Sequence, residues 1–487
     1  MKITVVGGGA SGCITALMMQ KKFPHYDITI VESSKIGIIG VGEATAGNFF
    51  TVLNKLNIDI NEFMKHTNAT TKLGALFCGW NNENIDFWQP LIYPNEIFAK
   101  RYENLISSSI KNKNSLVGLD DSEVFALQNK VPFLPNDNKN KSKTLKLGAF
   151  HFDAVLCADF FKKIAVERNI KIINDLVVGF KTSGENITNI LLSNEEIETD
   201  FIFDCSGFSR LIIGNFYKEK WVNVNETLPI NQSIVGPLKI DETIPPYTKM
   251  TALDYGWSFK IPTTTRYGAG YNFDNNYISE DDAIIEMKNR IDPNWEPQLS
   301  LKYDAGFYQN HFVNNCLAVG LSGSFFEPLE ATAILTVISL MEKFSNDFEE
   351  YFIDKIAFRN KINKYVENLE EDIIAAIYIH YVTNKTNNDF WKNFTKNNKI
   401  PKQIESFLLT MEESMPVPDE FDFANKSKTF INDFFIRVYY GNGLRNLKVI
   451  NKYDDDFYNK YIDFTKKWHS NWPTHRDMLE SIEADLH

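Results

Sequence analysis

Apolar residues follow two rhythms along the chain. Residues 2–6 are a short β-rich run that stops at Gly7-Gly8-Gly9, which predicts a buried strand. From Cys13 to Lys22, Ile14, Leu17 and Met18 share one helical face, and Asp27–Val31 is β-rich again, ending at Glu32. Strand, glycine turn, helix and strand make a βαβ unit. Phe49–Lys65 predicts a helix and Asp153–Arg168 a strongly amphipathic one. Strands are predicted at 171–180, 188–193 and 200–204, and alternating aromatic and small residues over 247–273 predict sheet. From about 329 onward helices dominate, at 332–345, 346–380, 402–412 and 428–440. Residues 108–147 are rich in Ser, Asn, Lys and Asp and predict a long loop or insertion. There is no internal repeat and no clean linker, so one interleaved α/β globule is expected.

Composition removes several classes. A chain of 487 residues with 44% hydrophobic and 23% charged positions is neither disordered nor fibrous. A net charge of −12 argues against a basic nucleic-acid footprint. Five cysteines without a CxxC argue against a disulfide framework or a structural zinc site and favour a reducing cytoplasm. The apolar N-terminal stretch is too short for a secretory signal, and no run of about 18 apolar residues predicts a membrane span.

The chemistry begins at Gly7-Gly8-Gly9-Ala10-Ser11-Gly12. It carries G-x-G-x-x-G at Gly7, Gly9 and Gly12, between strand and helix, with Glu32 placed 20 residues beyond Gly12. Gly7 permits the tight turn, Gly9 lets backbone approach a pyrophosphate, and Gly12 lets the helix pack closely. The helix N-terminus, with Ala10 and Ser11, offers N–H groups to phosphate. Glu32 can accept from ribose hydroxyls. The bland alternative is a glycine turn without ligand. The fingerprint does not choose between NAD and FAD. Two further strand-to-Gly/Ser turns, at 200–207 and 314–323, favour the longer cofactor, FAD. The pairs Gly268/Gly270 and Gly441/Gly443 lack this setting and predict turns.

Several motifs then occur in order: Gly40-Val41-Gly42-Glu43-Ala44-Thr45, Asn68-Ala69-Thr70-Thr71-Lys72 through Trp80, and His151-Phe152-Asp153-Ala154 with the helix to Arg168. Gly256-Trp257-Ser258-Phe259-Lys260-Ile261-Pro262 and Glu327-Pro328-Leu329-Glu330-Ala331-Thr332 follow, with weaker agreement at His380-Tyr381 and Phe390-Trp391. In these motifs the sequence resembles the flavin-dependent halogenases of the tryptophan-halogenase type. The resemblance covers roughly residues 1–395, with 81–150 poorly matched. It implies an FAD-binding Rossmann-like module with an interleaved substrate sheet over 1–345, a loop insertion at about 81–150, and a mainly helical part over 346–487 helping to cover the substrate site.

The resemblance also implies a reaction. Reduced FAD, supplied by a separate flavin reductase, would use O₂ and halide to make hypohalous acid. Lys72 would relay the halogen to an indole- or phenol-like aromatic. Glu330 would stabilise the ring cation and take its proton. Backbone N–H groups of Thr332 and Ala333 would hold the halide. Gly40, Gly42, Ala44, Thr45, Val178, Leu321 and Ile334 would lie along the flavin. Neither metal, nucleic acid nor membrane is implied, and self-association is left open. The chain departs from the family at Ala331 and Ala333, where Ser and Gly are usual, and at Phe259, where Trp is usual; halide preference is the property those alanines touch. Tyr439–Leu444 only faintly echoes the family's C-terminal box. Each residue has a plainer reading: Lys72 as a solvated lysine, Glu330 as a helix-start acid, Val178 as a core valine. Glu327, His66 and His151 are read as structural. The rival functions are an FAD monooxygenase, which needs no Lys72, and a noncatalytic flavoprotein.

Overall fold

The computed structural model describes residues 1–37, 40, 43–91, 121–132, 148–413, 429–430, 432–444, 460, 463 and 472–484. Its first sheet has six strands, in the order 312–313, 316–318, 201–204, 2–6, 27–32 and 171–174. Lys2–Val6 sits centrally, parallel to both Phe201–Asp204 and Asp27–Glu32. Parallel central strands are covered on both faces, hence the unbroken burial of residues 3–6. In a sheet of this kind ligands bind outside the C-terminal ends of the strands.

A second sheet of seven strands runs 299–302, 232–239, 266–273, 256–262, 247–252, 74–78 and 87–90. Tyr247–Ala252 pairs in parallel with Gly74–Cys78, so distant parts of the chain share this sheet. One apolar cluster joins it to the C-terminal helices, running from Ala75 through Trp257 to Tyr440. A third, small sheet places Ala149–Phe152 between Glu43–Ala44 and Thr70–Lys72.

Local chemistry adjusts several sequence expectations. The helix expected over 49–65 is two, Asn48–Lys55 and Ile60–His66. Asn57 turns left-handed at φ 53° and Asp59 caps the second helix through Glu62 N–H at 3.0 Å. The strand expected at 171–180 divides into Lys171–Asn174 and Val177–Ser183. The helix expected at 346–380 begins at Lys355, because Asp354 caps Ile356 and Ala357. The stretch expected as loop at 108–147 lies mostly outside the described residues, but Asp121–Leu127 within it is helical. In the wider 81–150 insertion, Phe87–Pro90 is a strand paired with Gly74–Cys78. Gly268 and Gly270 are not turn residues. They lie inside Arg266–Phe273, where a Cβ on Gly270 would meet Ile234 O at 2.7 Å. Gly443 does turn, at φ 80°.

Two buried histidines wire the Thr70–Lys72 strand in place. The Thr70 hydroxyl donates to Pro262 O at 2.7 Å, so its oxygen accepts from His151 Nδ1 at 3.1 Å. His151 Nε2 then accepts from the Thr248 hydroxyl at 2.9 Å. This is the structural role expected of His151, while His66 is exposed and paired with Glu62. His475, from the C-terminal helix His475–Ala484, donates through Nδ1 to Ile244 O at 3.0 Å. Its Nε2 accepts the Thr71 N–H at 3.1 Å. Both rings are neutral, single tautomers dictated by their partners.

Burial pushes His475 from 6.5 down to about 4. An unfolded histidine takes up a proton near 6.5 while the folded one resists to about 4. The stabilisation is therefore complete above the unfolded value and lost as pH falls through the folded one. We expect the unfolding free-energy gap between wild type and His475→Asn, from urea titrations, to shrink by on the order of 3 kcal/mol as pH falls from about 7 to about 4. A gap that stays constant or widens would show that the clip does not depend on a neutral ring.

Candidate active site

The glycine fingerprint builds a cradle after Lys2–Val6, and each glycine has its own reason. Gly7 has φ 124°, and a Cβ there would lie 2.1 Å from Cys205 O. A Cβ on Gly12 would lie 1.9 Å from Gly7 O, and one on Gly8 would lie 2.0 Å from Glu32 Oε2. Gly9 alone of the four has nothing within 4 Å. The space beside it is therefore open to a ligand. Gly9 stands before the Ala10–Lys22 helix, whose first N–H groups have no intrahelical acceptor. Gly320, at φ 73°, brings the 314–323 turn against Ser11, where an added Cβ would lie 2.7 Å from Ser11 Oγ.

Glu32 lies beside this cradle, tied to Lys162 Nζ at 3.2 Å. Lys162 also meets Asp159 at 3.0 Å. The sequence reading missed Lys162, whose signal was its place on the amphipathic helix that packs against Ala10–Lys22. These groups fit a dinucleotide: a turn with open space for pyrophosphate, a helix start, and an acid for ribose. Leu321 is half-buried in the Gly320–Ser322 turn, and Ile334 is buried in the helix Thr332–Asp347. Gly40 is exposed, and Gly42 lies outside the described residues. Val178 is 64% exposed on a separate three-stranded sheet, which rules out its reading as a core valine.

Ala44 pairs with His151 in the small sheet. Thr45, beside it, is fully buried, and its hydroxyl is engaged by the Phe150 backbone. The Thr45 carbonyl accepts from Lys72 Nζ at 3.2 Å. Lys72 is only 2% exposed, so the solvated-lysine reading fails. Desolvation lowers its ammonium to about 8, with the negative charge of Glu330 opposing the shift.

Glu330 stands on the turn Leu329–Ala331 that leads into Thr332–Asp347. Glu330 has φ 63° and Ala331 φ 55°, two successive left-handed residues without glycine. Each such conformation costs on the order of 1 kcal/mol. Ala331 left-handed and Thr332 right-handed (φ −74°, ψ −20°) form a concave pair of N–H groups at a helix start. That geometry receives an anion. Thr332, buried, and Ala333, exposed, are the first two residues of this helix.

Glu330 Oε1 contacts His380 Nε2 at 3.0 Å. His380 was not singled out as a site residue from sequence, although its motif was noted. Glu327 is the structural acid it was expected to be. It is 3% exposed, accepts from Tyr381 Oη and from Trp257 Nε1 at 3.2 Å, and burial pushes it up to about 8. Phe259 packs beside Trp257 with ring centroids 6.2 Å apart, so the apolar ring face survives the change from Trp.

The chain resembles known proteins along most of its length. The family model described as tryptophan halogenase matches residues 2–454. Tryptophan 6-halogenase SttH of Streptomyces toxytricini is 26% identical over 443 residues, covering 85% of this chain and 84% of its own. Tryptophan 7-halogenase RebH of Lentzea aerocolonigenes is 26% identical over 446 residues, covering 86% and 84%. The fold is shared with the crystal structure of a tryptophan halogenase from Shewanella frigidimarina, at TM-score 0.87 and 21% identity over 99% of this chain and 97% of that one. With a glycine cradle, a buried lysine and an acid at a helix start already in place, the match across nearly the whole length is decisive: the chain belongs to the tryptophan halogenase family of flavin-dependent halogenases.

Proposed function

We propose that this enzyme binds FAD and halogenates an indole- or phenol-like aromatic, with Lys72 relaying the halogen and Glu330 taking the ring proton. The observation that supports this most is a fully buried lysine electrostatically coupled to the carboxylate on the halide-binding turn. A solvated or structural lysine has no need of that company. Tryptophan is the named substrate of relatives such as SttH and RebH, which favours an indole.

Gly7–Gly12, Glu32 and the Gly320 turn would hold the cofactor. Bound in its reduced form, FAD supplies, with O₂ and halide, the oxidising power that turns halide into hypohalous acid. The residues of this chain do the rest. The N–H groups of Thr332 and Ala333 hold the halide. Lys72 either donates a hydrogen bond that polarises the hypohalous acid or carries the halogen on its amine; a value near 8 makes both protonation states accessible. Glu330 stabilises the ring cation and accepts its proton. Trp257 and Phe259 keep substrate from the cofactor. The chain carries one nucleotide fingerprint, so a separate reductase delivers reduced flavin.

Gly9→Val should fold, since no protein atom lies within 4 Å of the added Cβ, and should lose FAD binding measured by flavin fluorescence. Unchanged affinity in the folded variant sinks the cradle. Lys72→Met should bind and oxidise flavin yet give no halogenated arene by mass spectrometry. Glu330→Gln should lower turnover by about 10²-fold or more. Substantial regioselective product from the lysine variant, or under threefold loss from the glutamate variant, refutes that role. In competition among equal halide concentrations, bromination should at least match chlorination, because the softer ion is easier to oxidise. Ala333→Gly should shift the ratio, and exclusive chlorination would show that the two alanines leave a chloride-specific pocket intact.

A further inference from the structure

His380 is fully buried near the C-terminal end of the helix Lys355–Tyr381. Three aromatic rings surround it: Phe77 at 5.0 Å, Trp80 at 6.0 Å and Phe434 at 5.7 Å between centroids. The Trp80 N–H is already spent on Met250 O at 3.2 Å. Two polar groups therefore remain for the imidazole. Nδ1 faces Ala376 O at 2.8 Å, and Nε2 faces Glu330 Oε1 at 3.0 Å. The backbone around it is also pinned, because Asn442 Nδ2 donates to the carbonyls of Ile379, His380 and Val382 at 3.0, 2.9 and 3.0 Å.

A carbonyl can only accept, so Nδ1 carries a hydrogen. In the neutral ring that leaves Nε2 a lone pair, and a lone pair does not face a carboxylate at 3.0 Å. The contact therefore holds one proton between Nε2 and Oε1. It commits Oε1, while Oε2 has no hydrogen-bond partner among the described residues. Glu330 also sits in a left-handed conformation on a short turn, and its coupling to Lys72 acts from another strand. His380 is the group that fixes the direction of the carboxyl plane.

We propose that His380 is a positioning residue for Glu330: by holding Oε1 it presents Oε2 as the base that removes the ring proton. In that step the ring C–H bond breaks, its electron pair restores aromaticity, and the proton bonds to Oε2. The proton shared at Oε1 stays where it is. The proposal rests on Glu330 being the base, and the variants below separate the two.

His380→Phe keeps a flat ring in the aromatic cage and removes the bond to Oε1. His380→Gln keeps a donor that can reach it. Four quantities are read in each purified full-length variant: FAD affinity, hypohalous acid output with a small halogen-accepting trap, and KM and kcat for arene halogenation. For His380→Phe we expect the first three to stay within about threefold while kcat falls about tenfold or more. His380→Gln should recover a large part of that loss. In a Glu330→Gln background, adding His380→Phe should cost less than about twofold, because the two act as one unit. The proposal is overturned if His380→Phe leaves kcat unchanged, if Phe and Gln are equally impaired, if FAD affinity or acid output falls in step with kcat, or if the losses simply multiply in the double variant. If Glu330→Gln itself is unimpaired, the assignment of the base fails and this inference fails with it. If Glu330→Gln is impaired and His380→Phe is not, only this inference fails.

Discussion

Burying one amine is the constraint around which this molecule is arranged. An ammonium inside a protein loses several kcal/mol of hydration unless partners replace it. Lys72 has one backbone carbonyl and one carboxylate nearby to do so. Its proton is held loosely as a result, with desolvation lowering the ammonium to about 8. The cost is met by rigidity elsewhere. The strand bearing Lys72 is flanked by two histidines whose tautomers are fully specified, and the carboxylate opposite it stands on a turn held in an unfavourable conformation.

The two functional ends of the protein use backbone in the same way. At the cofactor end, a helix start and an open glycine leave N–H groups beside open space. At the start of Thr332–Asp347, a left-handed then right-handed pair presents N–H groups in a similar way. Anion binding by main-chain N–H groups carries little side-chain information. The alanine at 333 can therefore replace glycine without removing a donor, and its methyl acts through shape alone.

Much of this was legible in the sequence. The βαβ unit was readable because apolar period, glycine spacing and the acid at Glu32 are all local signals. Lys72 and Glu330 were readable only through motifs, since nothing in the spacing of an isolated lysine reveals that it is buried. What escaped was what depends on long-range pairing. The break at Asp354 had its local signal, a capping acid, but the parallel pairing of Tyr247–Ala252 with Gly74–Cys78 had none. Gly268 and Gly270 look like turn residues because glycine's other use, letting a neighbouring strand come close, leaves no mark on its flanks. His380 escaped for the same reason: its partner Glu330 is 50 residues away.

The clip from His475 to the Thr71 N–H spans 404 residues. Contacts of such separation form late, because closing the intervening loop must come first. On the ribosome, the strand that carries Lys72 can pair with Ala149–Phe152 early, yet Thr71 keeps an unsatisfied amide until residue 475 has been synthesised. The strand that carries Lys72 reaches its final hydrogen bonding only once residue 475 has been made.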